Sequence, residues 1–207
     1  MKPEITRFAP SPTGHLHLGG ARTAFFSWLF AKSSNGKFLL RFEDTDQERS
    51  KKEFEDSIIL SLSWLGIKPD EDPFFQSKNI EIHKKTAFNL LEAGKAYSCD
   101  CSSEQLAEMR EKQIKNKLQP KYDGTNRENN LVHKKGNVIR FKMPQSGKTA
   151  FEDKILGNIS VENKELDDFI ILRADETPTF NFCAAFDDMH MKITTVIRGD
   201  DHITNTL

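Results

Sequence analysis

The first forty residues constrain this chain most. Ile5-Thr6-Arg7-Phe8-Ala9 reads as a short strand. Pro10 and Pro12 end it and bracket Ser11, because proline has no N–H to give to a ladder. Thr13-Gly14 makes a turn. A helix then begins near Gly19, with Ala21, Phe25, Trp28 and Leu29 at i, i+4, i+7 and i+8, one face of a 3.6-residue period. Asn35-Gly36 closes it with a pair suited to a left-handed cap. Lys37-Phe38-Leu39-Leu40-Arg41-Phe42 then reads as a second strand. Strand, helix and strand over this length make a βαβ unit, and its crossover implies a parallel sheet.

Downstream, the spacing predicts a helix from about Gln47 to Leu65, striped by Phe54, Ile58, Leu62 and Leu65. Another is expected from about Asn79 to Ala93, stopped by Gly94. The charge then changes character. Residues 101–150 hold eleven Lys/Arg and five Asp/Glu, whereas 151–207 hold five and twelve. Ile139, Phe141 and Met143 alternate with Arg140 and Lys142, the period of a half-exposed strand. Leu118 to Gly136 reads as loop. Asp168 to Ala174 is expected to run back to the first domain, with Thr179–Phe186 and Ile193–Ile197 as buried strands. The fold class expected is α/β: a parallel sheet (1–99 and 176–207) interrupted by a mixed α+β insert (100–175).

Whole-chain composition sets outer limits. The formal net charge of -1 excludes a uniformly basic nucleic-acid coat, though not a local basic face. No apolar run approaches the roughly 18 residues needed to span a bilayer, so no membrane association is expected. The first residues show no apolar core for a signal peptide. Three cysteines do not make a disulfide framework, so a reducing cytoplasm is expected.

The chemistry concentrates between Arg7 and Thr23. A helix N-terminus presents unpaired N–H groups and a partial positive charge, which suit phosphate. Gly19 and Gly20 let a nucleotide approach the backbone, since no Cβ intervenes. His15 and His17 add ring donors. A lone His-x-Gly is more often a plain turn with surface histidines, but the longer string shifts that balance. Glu43-Asp44-Thr45-Asp46 alone would be a strand end and a helix cap. Arg198 alone would be a surface ion pair with Asp200 or Asp201. Asp187-Asp188 could be a metal pair by composition. Phe25, Phe26, Trp28 and Phe30 read as core rather than as base-stacking residues.

His17-Leu18-Gly19-Gly20 resembles the first signature of class I aminoacyl-tRNA synthetases, and Arg7-Phe8-Ala9-Pro10-Ser11-Pro12-Thr13-Gly14 before it resembles the glutamyl branch. Further similar segments follow in order: Arg41-Phe42-Glu43-Asp44-Thr45-Asp46, Tyr122-Asp123-Gly124, Pro178-Thr179-Phe180-Asn181-Phe182 with Asp187-Asp188, and Val196-Ile197-Arg198-Gly199-Asp200-Asp201-His202. The resemblance covers nearly the whole chain and implies a Rossmann-like core. It implies a ligase that activates L-glutamate with ATP and Mg2+ to glutamyl-adenylate, then transfers it to the 3′ end of tRNA(Glu). It places Pro10, Ser11, Pro12, Thr13, Gly14, His15, Leu16, His17, Leu18, Gly19 and Gly20 at ATP, with His17, Gly19 and Gly20 catalytic. It places Arg7, Ser11, Glu43, Phe180 and Arg198 at glutamate. Arginine suits a carboxylate because its planar fork binds both oxygens.

Two departures stand out. Cys99-x-Cys101 resembles the start of a zinc site of some members, but Asn126 stands at the third ligand and Glu128 at the fourth. Structural zinc normally takes four Cys/His ligands. A knuckle without metal, held by packing, is expected; His133 is the one further ligand that could be recruited. Phe180 stands where the family usually has tyrosine, so the ring is kept and a hydroxyl is lost.

By resemblance the basic insert binds the tRNA acceptor stem through Arg110, Lys112, Lys115 and Lys117. The competing reading is a solvated helix face with Glu108–Lys112 and Glu111–Lys115 pairs. Alternatives for the whole are a glutamyl-queuosine-tRNA(Asp) synthetase, or a fragment that binds nucleotide or RNA without turnover. The family's second ATP-binding loop, rich in lysine and serine, lies beyond His202, and only five residues follow His202 here. A truncated catalytic piece, inactive alone, is therefore expected, and a monomer is expected separately.

Overall fold

The computed structural model describes residues 2–46 and 48–206. The chain divides into two compact units, Met1–Glu81 with Cys183–Ile203, and Ile82–Phe182 with Thr204–Leu207.

The first unit is built on the expected βαβ. Strand β1 (Ile5–Phe8) leads to helix α1 (Leu18–Ser33) and strand β2 (Lys37–Phe42). β1 and β2 pair in parallel, from Ile5 opposite Lys37 to Phe8 opposite Leu40. After helix α2 (Lys52–Trp64), the two-residue strand β3 (Phe74–Phe75) extends the parallel sheet in the order β1-β2-β3. This is an α/β, Rossmann-like architecture. β2 lies centrally and is buried from Phe38 to Phe42, as a parallel strand covered on both faces should be. Phe8, Phe38, Leu40, Phe42, Ile58, Leu62 and Ile67 make its core. The start of the second helix at Gln47 lies outside the described residues; of its expected stripe, Ile58 and Leu62 are buried and Leu65 is exposed.

The turn from α1 into β2 is the tightest point. Asn35 adopts φ 55°, which asparagine tolerates better than most residues. A Cβ on Gly36 would collide with the backbone of Glu4. The buried face of α1 differs from expectation. Ala24, Ser27 and Ala31 face inward, while Phe25, Phe26 and Leu29 are about half exposed. Small residues win because the helix backbone approaches the sheet closely: the Thr6 hydroxyl donates to the Ser27 carbonyl at 2.8 Å.

In the second unit, helix α3 (Ile80–Glu92), which starts just before the boundary, leads to strand β4 (Ala96–Cys99) and helix α4 (Ser103–Lys115). Strands β5 (Val138–Phe141) and β8 (Ile170–Leu172) complete an antiparallel sheet in the order β4-β5-β8. β6 (Lys148–Asp153) and β7 (Gly157–Glu162) form a separate hairpin. The expected joints at 99/100 and 175/176 both lie inside this unit, because β4 and β8 each pair with β5. Asp168–Ala174 therefore contributes a strand here.

Two expected strands are absent. Phe180–His190 is helix α5. Its apolar run was too short for periodicity to separate strand from helix; Cys183 and Asp187, both fully buried, show the i, i+4 spacing. Ile193–Ile197 forms no regular strand, and the Thr194 and Thr195 amides both donate to the single carbonyl of Ile5. Arg140, expected on an exposed strand face, is 5% exposed because its guanidinium stacks on Tyr122 at 3.8 Å.

Candidate active site

In the first unit, the segment from Pro10 to Gly20 joins β1 to α1. Its loop is tied down by backbone bonds: the Pro10 carbonyl accepts from Glu43 N–H, and the Pro12 carbonyl from Lys51 N–H. His17 is the N-cap of α1, and its Nδ1 accepts from Gly20 N–H at 3.2 Å. An accepting Nδ1 puts the proton of the neutral ring on Nε2, so the free edge of His17 is a donor. A Cβ on Gly19 would press on the His17 ring at 3.1 Å, and one on Gly20 would meet Leu16 at 3.0 Å. The glycines thus keep the ring and the first turn close. His15 is held sideways, its Nδ1 2.9 Å from Ser57 Oγ and its ring edge-on to Phe54. Ser11, Thr13, His15, His17, Leu18 and Gly19 are exposed to solvent, as a ligand-facing lip requires.

Behind this lip lies a network of charge. Arg41 is fully buried on β2. Its Nη2 donates to Glu43 Oε1 at 2.9 Å and its Nη1 to Asp188 Oδ1 at 2.5 Å. Arg7 on β1 donates to the same Asp188 carboxylate through Nε and Nη2 at 3.0 and 3.1 Å. Arg198 lies within electrostatic range: burial, then the Arg7 cation, draw its pKa down, against Asp188. Burial pushes the Glu43 carboxyl above its usual range, with Arg41 and Arg7 pulling against it. Three guanidinium groups thus gather around the Asp188 carboxylate. Among the described residues the bonds of Arg7 run through Nε and Nη2, and none is made by Nη1.

Arg7, Glu43 and Arg198 are thus brought into one neighbourhood. Phe180 is the first residue of α5, 46% exposed, in the second unit. Arg41 and Asp188 are the members that inspection of the sequence missed as site residues. The signal was there: an arginine inside a buried Phe-Leu-Leu-Arg-Phe strand requires a carboxylate, and Asp187-Asp188 offers two. Both acids have protein partners, since Asp187 accepts from Gln76 at 2.7 Å.

In the second unit, Cys99 and Cys101 converge on Asn126. Its Oδ1 lies 3.6 Å from the Cys99 sulfur and 2.8 Å from that of Cys101, and it also accepts from Tyr122 Oη. The donor set does not fit the zinc site that the cysteine spacing resembles. Asn126 brings an amide oxygen, the Glu128 side chain is 80% exposed beside Arg127 and Lys142, and His133 faces Ser98. Among the described residues no group of three or more His, Cys, Asp or Glu side chains could hold a metal ion.

Helix α4 starts with a capping box, Ser102 and Gln105 bonding reciprocally. Arg110, Lys112, Lys115 and Lys117 are exposed on it or just beyond it. Among the described residues neither Glu108–Lys112 nor Glu111–Lys115 forms an ion pair. No described helix is long and apolar enough to cross a membrane.

The catalytic-domain family of the class I tRNA synthetases (E and Q) matches residues 5–207. The glutamate–tRNA ligase of Desulfosudis oleivorans is 52% identical over 206 residues, covering 100% of this chain and 44% of that protein. That of Francisella tularensis subsp. novicida is 54% identical over 203 residues, covering 97% and 43%. Among solved structures, a glutamate tRNA ligase from Elizabethkingia meningosepticum in complex with its amino acid superposes with a TM-score of 0.85 at 36% identity, over 99% of this chain and 45% of that one. A glutamate–tRNA synthetase from Elizabethkingia anophelis gives 0.84 at 36%, over 98% and 46%. The chain spans less than half the length of these relatives.

Proposed function

This chain belongs to the class I tRNA synthetase (E and Q) catalytic-domain family, and from that premise we propose that it serves the activation of L-glutamate by ATP and the charging of tRNA(Glu). The observation that carries the choice of amino acid is the gathering of the Arg7, Arg41 and Arg198 guanidinium groups around Asp188, a cationic neighbourhood suited to the side-chain carboxylate of glutamate.

In this reading the Nη1 of Arg7 and the guanidinium of Arg198 meet the substrate's side-chain carboxylate, Glu43 meets its α-ammonium, and Ser11 helps position it. Asp188 and Arg41 hold Arg7 and Glu43 in place. Pro10–Gly20 lines the ATP side, where the Nε2–H of His17 suits a phosphate oxygen and Gly19 and Gly20 let the nucleotide come close to the backbone. The α-carboxylate attacks the α-phosphate in line and pyrophosphate leaves. The chain supplies positioning and charge rather than a nucleophile. Mg2+ bound together with ATP would offset charge on the phosphates. The exposed cations of α4 favour contact with acceptor-stem phosphates. We place the protein in the cytoplasm as a monomer, where charged tRNA is consumed.

The test is exchange of labelled pyrophosphate into ATP by the protein as its gene encodes it, with glutamate and tRNA(Glu). Exchange that depends on glutamate and falls with Arg198→Ala is expected. Exchange untouched by that change, or supported by glutamine alone, would overturn the pocket assignment. Charging of queuosine-bearing tRNA(Asp) in place of tRNA(Glu) would move the reading to the alternative acceptor.

A further inference from the structure

We propose that Cys99 and Cys101 form a redox-active dithiol that closes to an intramolecular disulfide on exposure to a peroxide. The two sulfurs share both neighbours: 3.4 and 3.7 Å from Tyr122 Oη, and 3.6 and 2.8 Å from Asn126 Oδ1. Access is uneven. Cys99 is 2% exposed, at the end of β4, while Cys101 is half-buried on the loop that follows.

That asymmetry assigns the roles. The oxidant reaches Cys101; its sulfur takes one peroxide oxygen as the O–O bond breaks, giving a sulfenic acid and water. Cys99 then attacks that sulfur, the S–S bond forms, and the hydroxyl leaves as a second water. The two thiols lose two electrons and two hydrogens together, and the peroxide is the acceptor. Burial raises the Cys101 thiol, so access rather than acidity makes it the first to react. Burial would raise Cys99 too, but the Tyr122 hydroxyl, the Cys101 backbone and the Arg140 guanidinium bring it below its usual range, which favours it as the thiolate that attacks the oxidised Cys101. The ring closes over one intervening residue, Asp100. Such tight bridges are the more readily reduced ones, so the closure is reversible.

Closure draws the sulfurs to about 2.05 Å of each other and takes the thiol hydrogens from Asn126 Oδ1. The Tyr122–Asn126 turn then loses its sulfur contacts and keeps the bonds between those two residues, those to Asp100 and Asp167, its own backbone turns and the Arg140 stack.

The sequence makes the experiment direct, because trypsin releases both cysteines in one peptide, Ala96–Arg110, apart from Cys183. Native protein treated with hydrogen peroxide and digested without reductant should yield this peptide two hydrogens lighter. Dithiothreitol should reverse the change, Cys101→Ser should abolish it, and closure should be faster in folded protein than in urea. Hydrogen exchange at residues 122–127 should quicken in the oxidised form. Over-oxidation of the peptide without closure, closure no faster than in urea, or unchanged exchange would overturn the proposal.

Discussion

Arg41 Nη1 lies 2.5 Å from Asp188 Oδ1, joining the fully buried centre of β2 to α5 across 147 residues of sequence. A guanidinium out of water needs its carboxylates. Asp188 serves Arg7 as well, so one side chain holds both a structural cation and the one we assign to the substrate. Asp188→Ala should cost about 3–5 kcal/mol of stability, the usual range when one partner of a buried pair is removed, measured by urea unfolding. Asp188→Asn, which keeps an acceptor, should cost less stability yet still raise the Michaelis constant for glutamate, because the neutral amide no longer orients Arg7 by charge. A variant equal to wild type in both measurements would contradict the shared role.

Gly36 gives a purely structural prediction. A methyl group there would collide with backbone, not with a flexible side chain that could swing away. The parallel start of the sheet, where Lys37 N–H donates to the Glu4 carbonyl at 2.9 Å, must then shift. Gly36→Ala should therefore lose about 3 kcal/mol, the upper end of ordinary overpacking. Thermal unfolding of the variant against Asn35→Ala would separate the collision from the loss of a turn-forming residue.

The legible parts of the fold were those with local punctuation. Pro10, Pro12, Asn35 and Gly36 bound β1, α1 and β2 through their own backbone preferences, whatever packs around them. Phe180–His190 carried no such mark, and a strand was expected where a helix forms. The buried face of α1 was misjudged for another reason: periodicity finds a large apolar stripe, but closeness of the sheet selected Ala24, Ser27 and Ala31. The site was legible as a set of residue types. Its pairing was not, because Arg41 and Asp188 meet only after β2 and α5 are placed.

His17 combines two jobs that substitution can separate. Its Nδ1 caps α1, and its Nε2 carries the proton of the neutral ring on a residue exposed to solvent. His17→Ala removes both and should cost about 0.5–2 kcal/mol as a lost cap. Asparagine is itself a favoured cap, so His17→Asn should restore most of the stability. It cannot restore the Nε2 donor at the phosphate. Glutamate activation should stay low in both variants, by about 100–1,000-fold if the donor acts in the transition state. Full activity in His17→Asn would reduce His17 to a cap.

Glu43 predicts a pH dependence. Burial raises its pKa in the folded state, so the native protein holds that proton more tightly than the unfolded chain does. The stabilisation from protonated Glu43 is complete below the ordinary carboxylate range and is lost as pH rises through the raised folded value. Above that value the buried ionised group costs stability. Glu43→Gln abolishes this contribution, so wild-type stability minus variant stability should fall as pH rises through that window. The titration has a functional side: the α-ammonium needs the ionised form, so glutamate binding by wild type should weaken at a higher pH than an ordinary carboxylate would dictate. Denaturant unfolding of both proteins across mildly acidic pH measures the first effect. A flat difference would mean that Arg41 fully offsets the burial.

The cations after Met109 give the last prediction. Lys112, Lys115 and Lys117 are exposed, and the acids expected to neutralise two of them are unpaired with them. A free cation on a helix face can release counterions from a nucleic acid, and that release sets the salt dependence of binding. The Lys112/Lys115/Lys117→Ala variant should bind tRNA(Glu) more weakly at low salt. Its plot of log affinity against log salt should be shallower by roughly 0.7–0.9 for each phosphate that is no longer neutralised. Binding of glutamate and ATP, held in the other unit, should be unchanged. Equal slopes for wild type and variant would assign this face to solvent and move the acceptor-stem site elsewhere.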